Sequence, residues 1–192
     1  QYYENVSTTD LEERSHARLA GDAMAMLKLS GRRKPGQIIV DVRDPGGSDA
    51  GNASVHSVVD ILSDNMPFLL DSSSAELTRL GHTVHLIIHP VYRTRRDKTG
   101  KLQDFFAGNQ TGAGVQNESM MSITINRQDD PARIKEIEAN LQLVLGDVYA
   151  AVEDWQAMRA KVQGIIDEFK LRNSEGAVAD IAEAQDFLQW AH

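Results

Sequence analysis

The sequence contains no cysteine among its 192 residues, which excludes disulfide bonds, thiolate metal sites and a cysteine nucleophile. It also lacks any apolar run approaching the roughly 18 residues that a membrane-spanning helix needs. No signal-peptide pattern opens the chain. We therefore expect a soluble, cytoplasmic protein with no membrane partner.

The chain is also short of positive charge, with 20 Lys and Arg against 28 Asp and Glu and a net charge of −8. Nucleic-acid partners need a basic surface, so this balance argues against them. The one basic cluster flanks Asp97 and Gly100 and consists of Arg93, Arg95, Arg96, Lys98 and Lys101. We interpret it as a solvated hairpin tip.

The apolar and charged fractions, 41% and 25%, are those of a globular protein that can bury a core. Residues 1–52 contain two helical stretches, a weak strand at 37–42 and a loop rich in Gly, Ser and Asp at 45–52. We predict that they form an N-terminal helical extension with one strand.

A regular order begins after this extension. Residues 55–62 form a β-branched run of strand length, ended by Asp64 and Asn65. Pro67 is expected as the first residue of a helix that Gly81 ends, with Phe68 and Leu69 in the core.

Three more strands and a long helix complete the domain, which we place at residues 53–170. The strands are predicted at 82–93, 101–106 and 118–127, the last a half-buried strand by its alternation. Residues 107–117 form a loop. The helix opens at Asp129, with Gly146 and Gly164 as expected break points. Residues 171–192 should form a C-terminal helix leading to the rest of a longer protein.

This order predicts an α+β fold of ferredoxin-like layout, an antiparallel sheet with both helices on one face. The N-terminal and C-terminal helical segments extend it. The usual final strand is not evident, and residues 37–42 are available to replace it at an edge.

The best candidate site is the turn from strand to helix, where unpaired amides and a partial positive charge suit an anion such as an amino-acid carboxylate. Its predicted effector-binding residues are Asp64, Asn65, Met66, Phe68 and Leu69. The alternative is that Asp64 only caps the helix.

Other chemistry has little support in the sequence. His85 and His89 share a strand face but lie about 13 Å apart, too far to share an ion, and His82 points the other way. The acids Asp60, Asp64 and Asp71 lack a further His or Glu ligand in the pattern. There is no glycine-rich phosphate loop. We predict no catalytic residue, no metal and no cofactor in this chain.

Residues 64–71, following a β-branched strand, resemble the signature of ACT domains, small amino-acid-sensing modules of ferredoxin-like fold. More specifically, the chain is similar from about Tyr2 to Phe169 to the N-terminal region of the large bacterial NAD-specific glutamate dehydrogenases. The segments that carry this similarity are 57–72, 84–90, 96–97 and 151–155.

The resemblance implies an ACT-like regulatory or assembly module without catalytic residues of its own. It implies a parent enzyme that deaminates glutamate oxidatively to 2-oxoglutarate with NAD. Expected partners are the remainder of the parent chain, further copies in a homo-oligomer and an amino-acid effector. Amino-acid-binding ACT domains usually carry glycine where this chain has Phe68. A purely structural interaction module with no ligand is the alternative function.

Overall fold

The computed structural model describes residues 2–4, 6–12, 14–44, 55–106, 112–173, 183 and 186–187. The predicted loop at 45–52, much of the loop at 107–117 and most of the C-terminal helix lie outside the described residues. The chain divides into two compact units, residues 1–148 and 149–192. The first unit contains the sheet and the second contains α5.

The described residues form five helices and six strands. The helices are α1 (Thr8–Glu12), α2 (His16–Leu29), α3 (Leu69–Arg79), α4 (Pro131–Glu153) and α5 (Trp155–Asn173). The strands are β1 (Ile39–Arg43), β2 (His56–Asp64), β3 (Val84–Ile88), β4 (Val91–Arg96), β5 (Leu102–Phe106) and β6 (Val115–Asn126). Among these residues no helix is both long enough and apolar enough to cross a membrane.

All six strands form one antiparallel sheet centred on β6. β6 pairs with β2 along one side, from Asp64 opposite Glu118 to His56 opposite Asn126. Its other side pairs with β3 and then β4. β1 pairs with β2 at one edge and β5 pairs with β4 at the other, so β1 takes the place of the missing final strand. The predicted α+β antiparallel fold is confirmed.

Helices cover both faces of this sheet. The larger core joins alternate residues of β2 and β6 to α3 and α4, and includes Ile61, Ile123, Leu77 and Leu141. The smaller core lies on the opposite face, where Met26 of α2 packs against Leu62 and Met120. The N-terminal extension therefore supplies the cover of the second face.

Burial on both faces corrects the interpretation of β6 as half-buried. The polar residues that alternate with its apolar ones are also inside, since Ser122 and Thr124 are each 3% exposed. Alternation in the sequence marks the two faces of a strand, but it does not show that either face meets water.

Several predicted element boundaries are wrong. β6 begins at Val115, so residues 115–117 of the predicted loop at 107–117 belong to a strand. Residues 82–93 are not one strand, because β3 and β4 are separated at His89 and Pro90, and proline has no amide hydrogen for the ladder. The long helix breaks at Asp154, between α4 and α5, and continues through Gly146 and Gly164.

Candidate functional site

The predicted effector turn begins at Asp64, the last residue of β2, whose carboxylate is already bound within the chain. Nη2 of Arg33 donates to its Oδ1 at 2.5 Å, and the backbone N–H of Gly36 donates to its Oδ2 at 2.7 Å. Asp64 therefore ties the end of β2 to the segment that follows α2. It is not the cap of α3.

The next two residues continue the end of the strand. The backbone N–H of Asn65 donates to the carbonyl oxygen of Asn117 at 3.0 Å, while the Asn65 side chain is exposed. The Met66 side chain is half-buried against the larger core. Of the two side chains, that of Asn65 is the one presented to solvent.

Phe68 has an unusual backbone conformation, with φ 68° and ψ 1°. It is the one non-glycine residue with positive φ among the described residues. These angles are close to those of the third residue of a type II turn, about 80° and 0°, where glycine is favoured, and Pro67 stands in the second position, where proline is common. The glycine usual here in ACT domains fits this conformation without strain.

The structure corrects two expectations about this turn. The Phe68 side chain is 64% exposed and does not enter the core, whereas Leu69 is 1% exposed and does. The helix α3 begins at Leu69, two residues after Pro67. Phe68 occupies the cap position and its side chain accepts no hydrogen bond from the helix, so the first amides of α3 have no side-chain cap from this residue.

A buried charge cluster lies beside Asp64 and was not found from the sequence. Glu118 and Arg33 are both fully buried, at 0% exposure. Arg33 donates to Oε1 of Glu118 through Nε at 3.1 Å and Nη2 at 2.7 Å. Arg96 forms a forked pair with the same carboxylate, from Nε to Oε1 at 2.6 Å and from Nη2 to Oε2 at 2.7 Å.

Backbone carbonyls bind the remaining guanidinium nitrogens of the cluster. Nη1 of Arg33 donates to the carbonyls of Lys34 and Gln37, and Nη1 of Arg96 donates to those of Ser30 and Gly100. Buried charges need such partners to be tolerated. The cluster joins the segment after α2 to the sheet, and Arg96 is not the solvated hairpin-tip residue that was predicted.

The electrostatics of Glu118 follow from these contacts. Burial by itself raises the pKa of its carboxyl, but the hydrogen bonds and positive charges of Arg96 and Arg33 outweigh burial and leave the pKa below its ordinary value. Glu118 is therefore held as a carboxylate. The sequence by itself carries no signal of this cluster. It is the strand register that places Asp64 directly opposite Glu118, and like charges in that position are unfavourable unless a cation lies between them.

A second buried network lies further along the same face of the sheet, the face that α2 covers, because Asp60 and Ser122 are four residues from Asp64 and Glu118 on their strands. Asp60 accepts from Nε of Arg43 at 2.6 Å and from the hydroxyl of Ser122. Nη1 of Arg43 also donates to Asp22 at 2.8 Å, and the Tyr2 and Ser122 hydroxyls are 2.6 Å apart. Burial raises the pKa of the Asp60 carboxyl, although the positive charge of Arg43 acts in the opposite direction. Burial also raises the pKa of the Tyr2 hydroxyl.

The histidines have separate partners. Nδ1 of His82 is 3.3 Å from Oδ1 of Asn126, and Nε2 of His89 is 2.7 Å from the Ser119 hydroxyl. The His85 and His56 rings contact each other at an interplanar angle of 60°, with centroids 4.3 Å apart. Within the described ranges, no group of three or more metal-ligating side chains converges.

The site is thus a strand-to-helix turn at the end of a sheet, with a strained aromatic residue in its bend and its acid bound to an internal arginine. An α+β sheet of this strand order with such a turn defines an ACT-like module. The model of one family, described as glutamate dehydrogenase, ACT1 domain, matches residues 1–141. The chain belongs to that family.

Two relatives agree with this assignment. The NAD-specific glutamate dehydrogenase of Halomonas elongata is 35% identical over 98% of this chain, and that of Pseudomonas aeruginosa is 27% identical over 99%. The chain spans 12% of the length of each relative. The prediction that it corresponds to the N-terminal ACT-like region of this enzyme is confirmed.

Proposed function

We propose that this chain is a non-catalytic regulatory and assembly module of an NAD-specific glutamate dehydrogenase. The parent reaction is the oxidative deamination of glutamate to 2-oxoglutarate, and NAD binds in another part of the parent chain. The proposal depends most on the family match, which covers residues 1–141. The internal use of Arg33, Arg96 and Glu118 supports it, because these charges bind one another and stabilise a scaffold.

The sharper form of the proposal is that the turn senses an amino acid. Its support is the start of α3, where Phe68 provides no side-chain cap and the exposed Asn65 lies nearby in the chain. The amides of such a helix start attract a carboxylate. Asp64, whose carboxylate is already bound to Arg33 and Gly36, would hold the end of β2 in place. Met66, Phe68 and Leu69 would supply the apolar and backbone contacts.

Calorimetric titration of the chain with glutamate, aspartate and arginine tests the sensing form. If one of them binds at the turn, Asn65→Ala should weaken binding at least about tenfold, or about 1.4 kcal/mol, without lowering the unfolding temperature. Asp64→Asn is a poorer probe, because it also disturbs Arg33. Absence of heat with all three ligands would remove sensing and leave the assembly role.

A purely structural interaction module is the second candidate function. The observation that favours it is that large apolar side chains are exposed on both helical layers of the first unit: Met24 of α2 is 63% exposed and Leu143 of α4 is 65% exposed. Sedimentation velocity over a range of concentrations distinguishes the outcomes. Reversible association would support self-assembly through this chain, and a monomer at every concentration would contradict it.

A further inference from the structure

A cavity of about 260 Å³ lies on the sheet face covered by α2, opposite the face that carries α3 and α4. Its walls come from the N-terminal segment, α2, β4, β5 and β6. The lining side chains are Tyr2, Ala23, Met26, Leu27, Tyr92, Phe105 and Met120. This cavity is separate from the turn at Asp64, and no part of the proposed function uses it.

The lining is rich in electron-rich groups. Three of its residues are aromatic, Tyr2, Tyr92 and Phe105, and two are methionines. The aromatic faces carry partial negative charge and attract cations, and thioether sulfur is polarisable. An ordinary aliphatic core offers neither property, so the composition itself favours one class of ligand.

The walls are held in place before any ligand binds. The Tyr2 hydroxyl is hydrogen-bonded to that of Ser122 at 2.6 Å. The Tyr92 and Phe105 rings meet edge to face with centroids 5.4 Å apart. Met26 and Met120, at 1% and 2% exposure, belong to the buried core beneath. A preformed cavity loses little entropy when it binds a ligand.

The local charge also suits a cation. Burial raises the pKa of the Tyr92 hydroxyl, and the negative charge of Glu4 raises it further. The field of the exposed Glu4 carboxylate therefore reaches the cavity wall. The chain as a whole carries a net charge of −8, which attracts cations over longer distances.

We propose that this cavity binds a small molecule that carries a cationic ammonium or guanidinium group on a short apolar stem. The cationic head lies against the aromatic rings and the stem contacts Met26 and Met120. The chain already uses this interaction elsewhere, because the guanidinium carbon of Arg95 lies 5.4 Å from the centroid of the Phe106 ring.

The test uses the full 192-residue chain and a matched pair of probes. Choline and 3,3-dimethylbutan-1-ol have nearly the same shape, and only choline is charged. Calorimetry or NMR titration should show that choline binds at least about tenfold more tightly than the neutral alcohol. Equal affinities would overturn the cation preference, and no choline binding at millimolar concentrations would overturn the site.

Variants locate the binding. Phe105→Leu should reduce choline affinity by at least about fivefold. Phe106→Leu is the control and should leave the affinity unchanged, because Phe106 is next to Phe105 in β5 and its side chain is therefore on the other face of the hairpin. Glu4→Gln, an exposed change that cannot disturb the core, should weaken choline about threefold and leave the alcohol unaffected. Equal losses of choline affinity in Phe105→Leu and Phe106→Leu would contradict the assignment.

Asn65→Ala should not alter choline binding. A failure of the cavity to bind choline is therefore distinguishable from a failure of the turn to bind an amino acid.

Discussion

At the residue scale, the protein contains a buried cluster of charges in which every member is paired. Glu118 accepts hydrogen bonds from two arginines, Arg33 and Arg96, in a region that excludes water. Such a cluster contributes little net energy compared with apolar packing, but removing one member leaves the others charged and unpaired. The residues therefore act as a unit.

Replacing Glu118 by Gln should destabilise the protein by about 3 to 5 kcal/mol, because two buried guanidinium groups lose their counter-charge. Denaturant unfolding measures the change. Asp104→Asn is the matched control, since Asp104 pairs with Arg95 on the surface and should cost less than about 1 kcal/mol. Equal losses from the two changes would contradict the role given to burial.

The contribution of Glu118 should also depend on pH. Its pKa in the folded chain lies below the ordinary value of 4.5, so its stabilising effect is fully present above pH 4.5 and is lost as pH falls through the folded pKa. The difference in unfolding free energy between the natural chain and Glu118→Gln should therefore shrink in acid. A difference that stays constant from neutral pH to well below 4.5 would show that ionisation is irrelevant.

The backbone strain at Phe68 is a second feature of a single residue that affects stability. A non-glycine residue in the left-handed region is destabilised by about 1 to 2 kcal/mol of conformational energy. The Phe68 ring is 64% exposed, so its burial offsets little of this energy. Phe68→Gly should therefore raise the free energy of unfolding by about 0.5 to 1 kcal/mol, after the entropy that glycine adds to the unfolded chain. Phe68→Ala keeps the strain and should not stabilise. Loss of stability in the glycine variant would indicate that the ring makes a necessary contact.

At the element scale, the segment after α2 is joined to the hairpin of β4 and β5. The Arg33 N–H donates to the Gly100 carbonyl at 2.9 Å, and the Leu102 N–H donates to the Gly31 carbonyl at 3.0 Å. Arg33 then enters the charge cluster. The basic residues of the hairpin therefore differ in their environment: Arg96 is buried in the charge cluster, whereas Arg95 is exposed. Their sequence pattern does not reveal this difference.

Gly100→Ala should break this junction. A Cβ at Gly100 would lie 2.6 Å from the Arg33 carbonyl oxygen, and its φ of +83° also disfavours a side chain. We expect a loss of about 2 to 4 kcal/mol in denaturant unfolding. Gly114→Ala is the control, because Gly114 has φ +75° but a Cβ there meets nothing within 4 Å. It should cost about 1 to 2 kcal/mol, for strain alone.

At the scale of the whole molecule, the sheet and its two cores belong to the first unit, residues 1–148. The last buried residue of the larger core is Leu145 of α4, and that of the smaller core is Met120 of β6. We therefore predict that residues 1–153, which keep α4 complete, fold without the rest of the chain. Their unfolding should be cooperative, with a free energy within about 1 kcal/mol of that of the full chain. Non-cooperative melting of this fragment would contradict the prediction.

Local patterns in the sequence determined the character of the module. The β-branched run of β2, the alternation of β6 and the proline-containing turn between β2 and α3 are short-range features that act through backbone preference. They predicted the antiparallel α+β sheet and, through residues 57–72, the family. The order of elements also indicated that residues 37–42 were available for a sheet edge, because the predicted ferredoxin-like layout lacked its usual final strand.

Only the tertiary structure decided which charges are buried and that the Phe68 side chain is exposed. Arg33 and Glu118 are 85 positions apart in sequence, and nothing local to either indicates the other. The exposure of Phe68 depends on a positive φ that the turn imposes, against the preference of the residue. The cover of the second sheet face by α2, and the aromatic cavity beside it, likewise arise from packing between distant segments, which composition and periodicity do not specify.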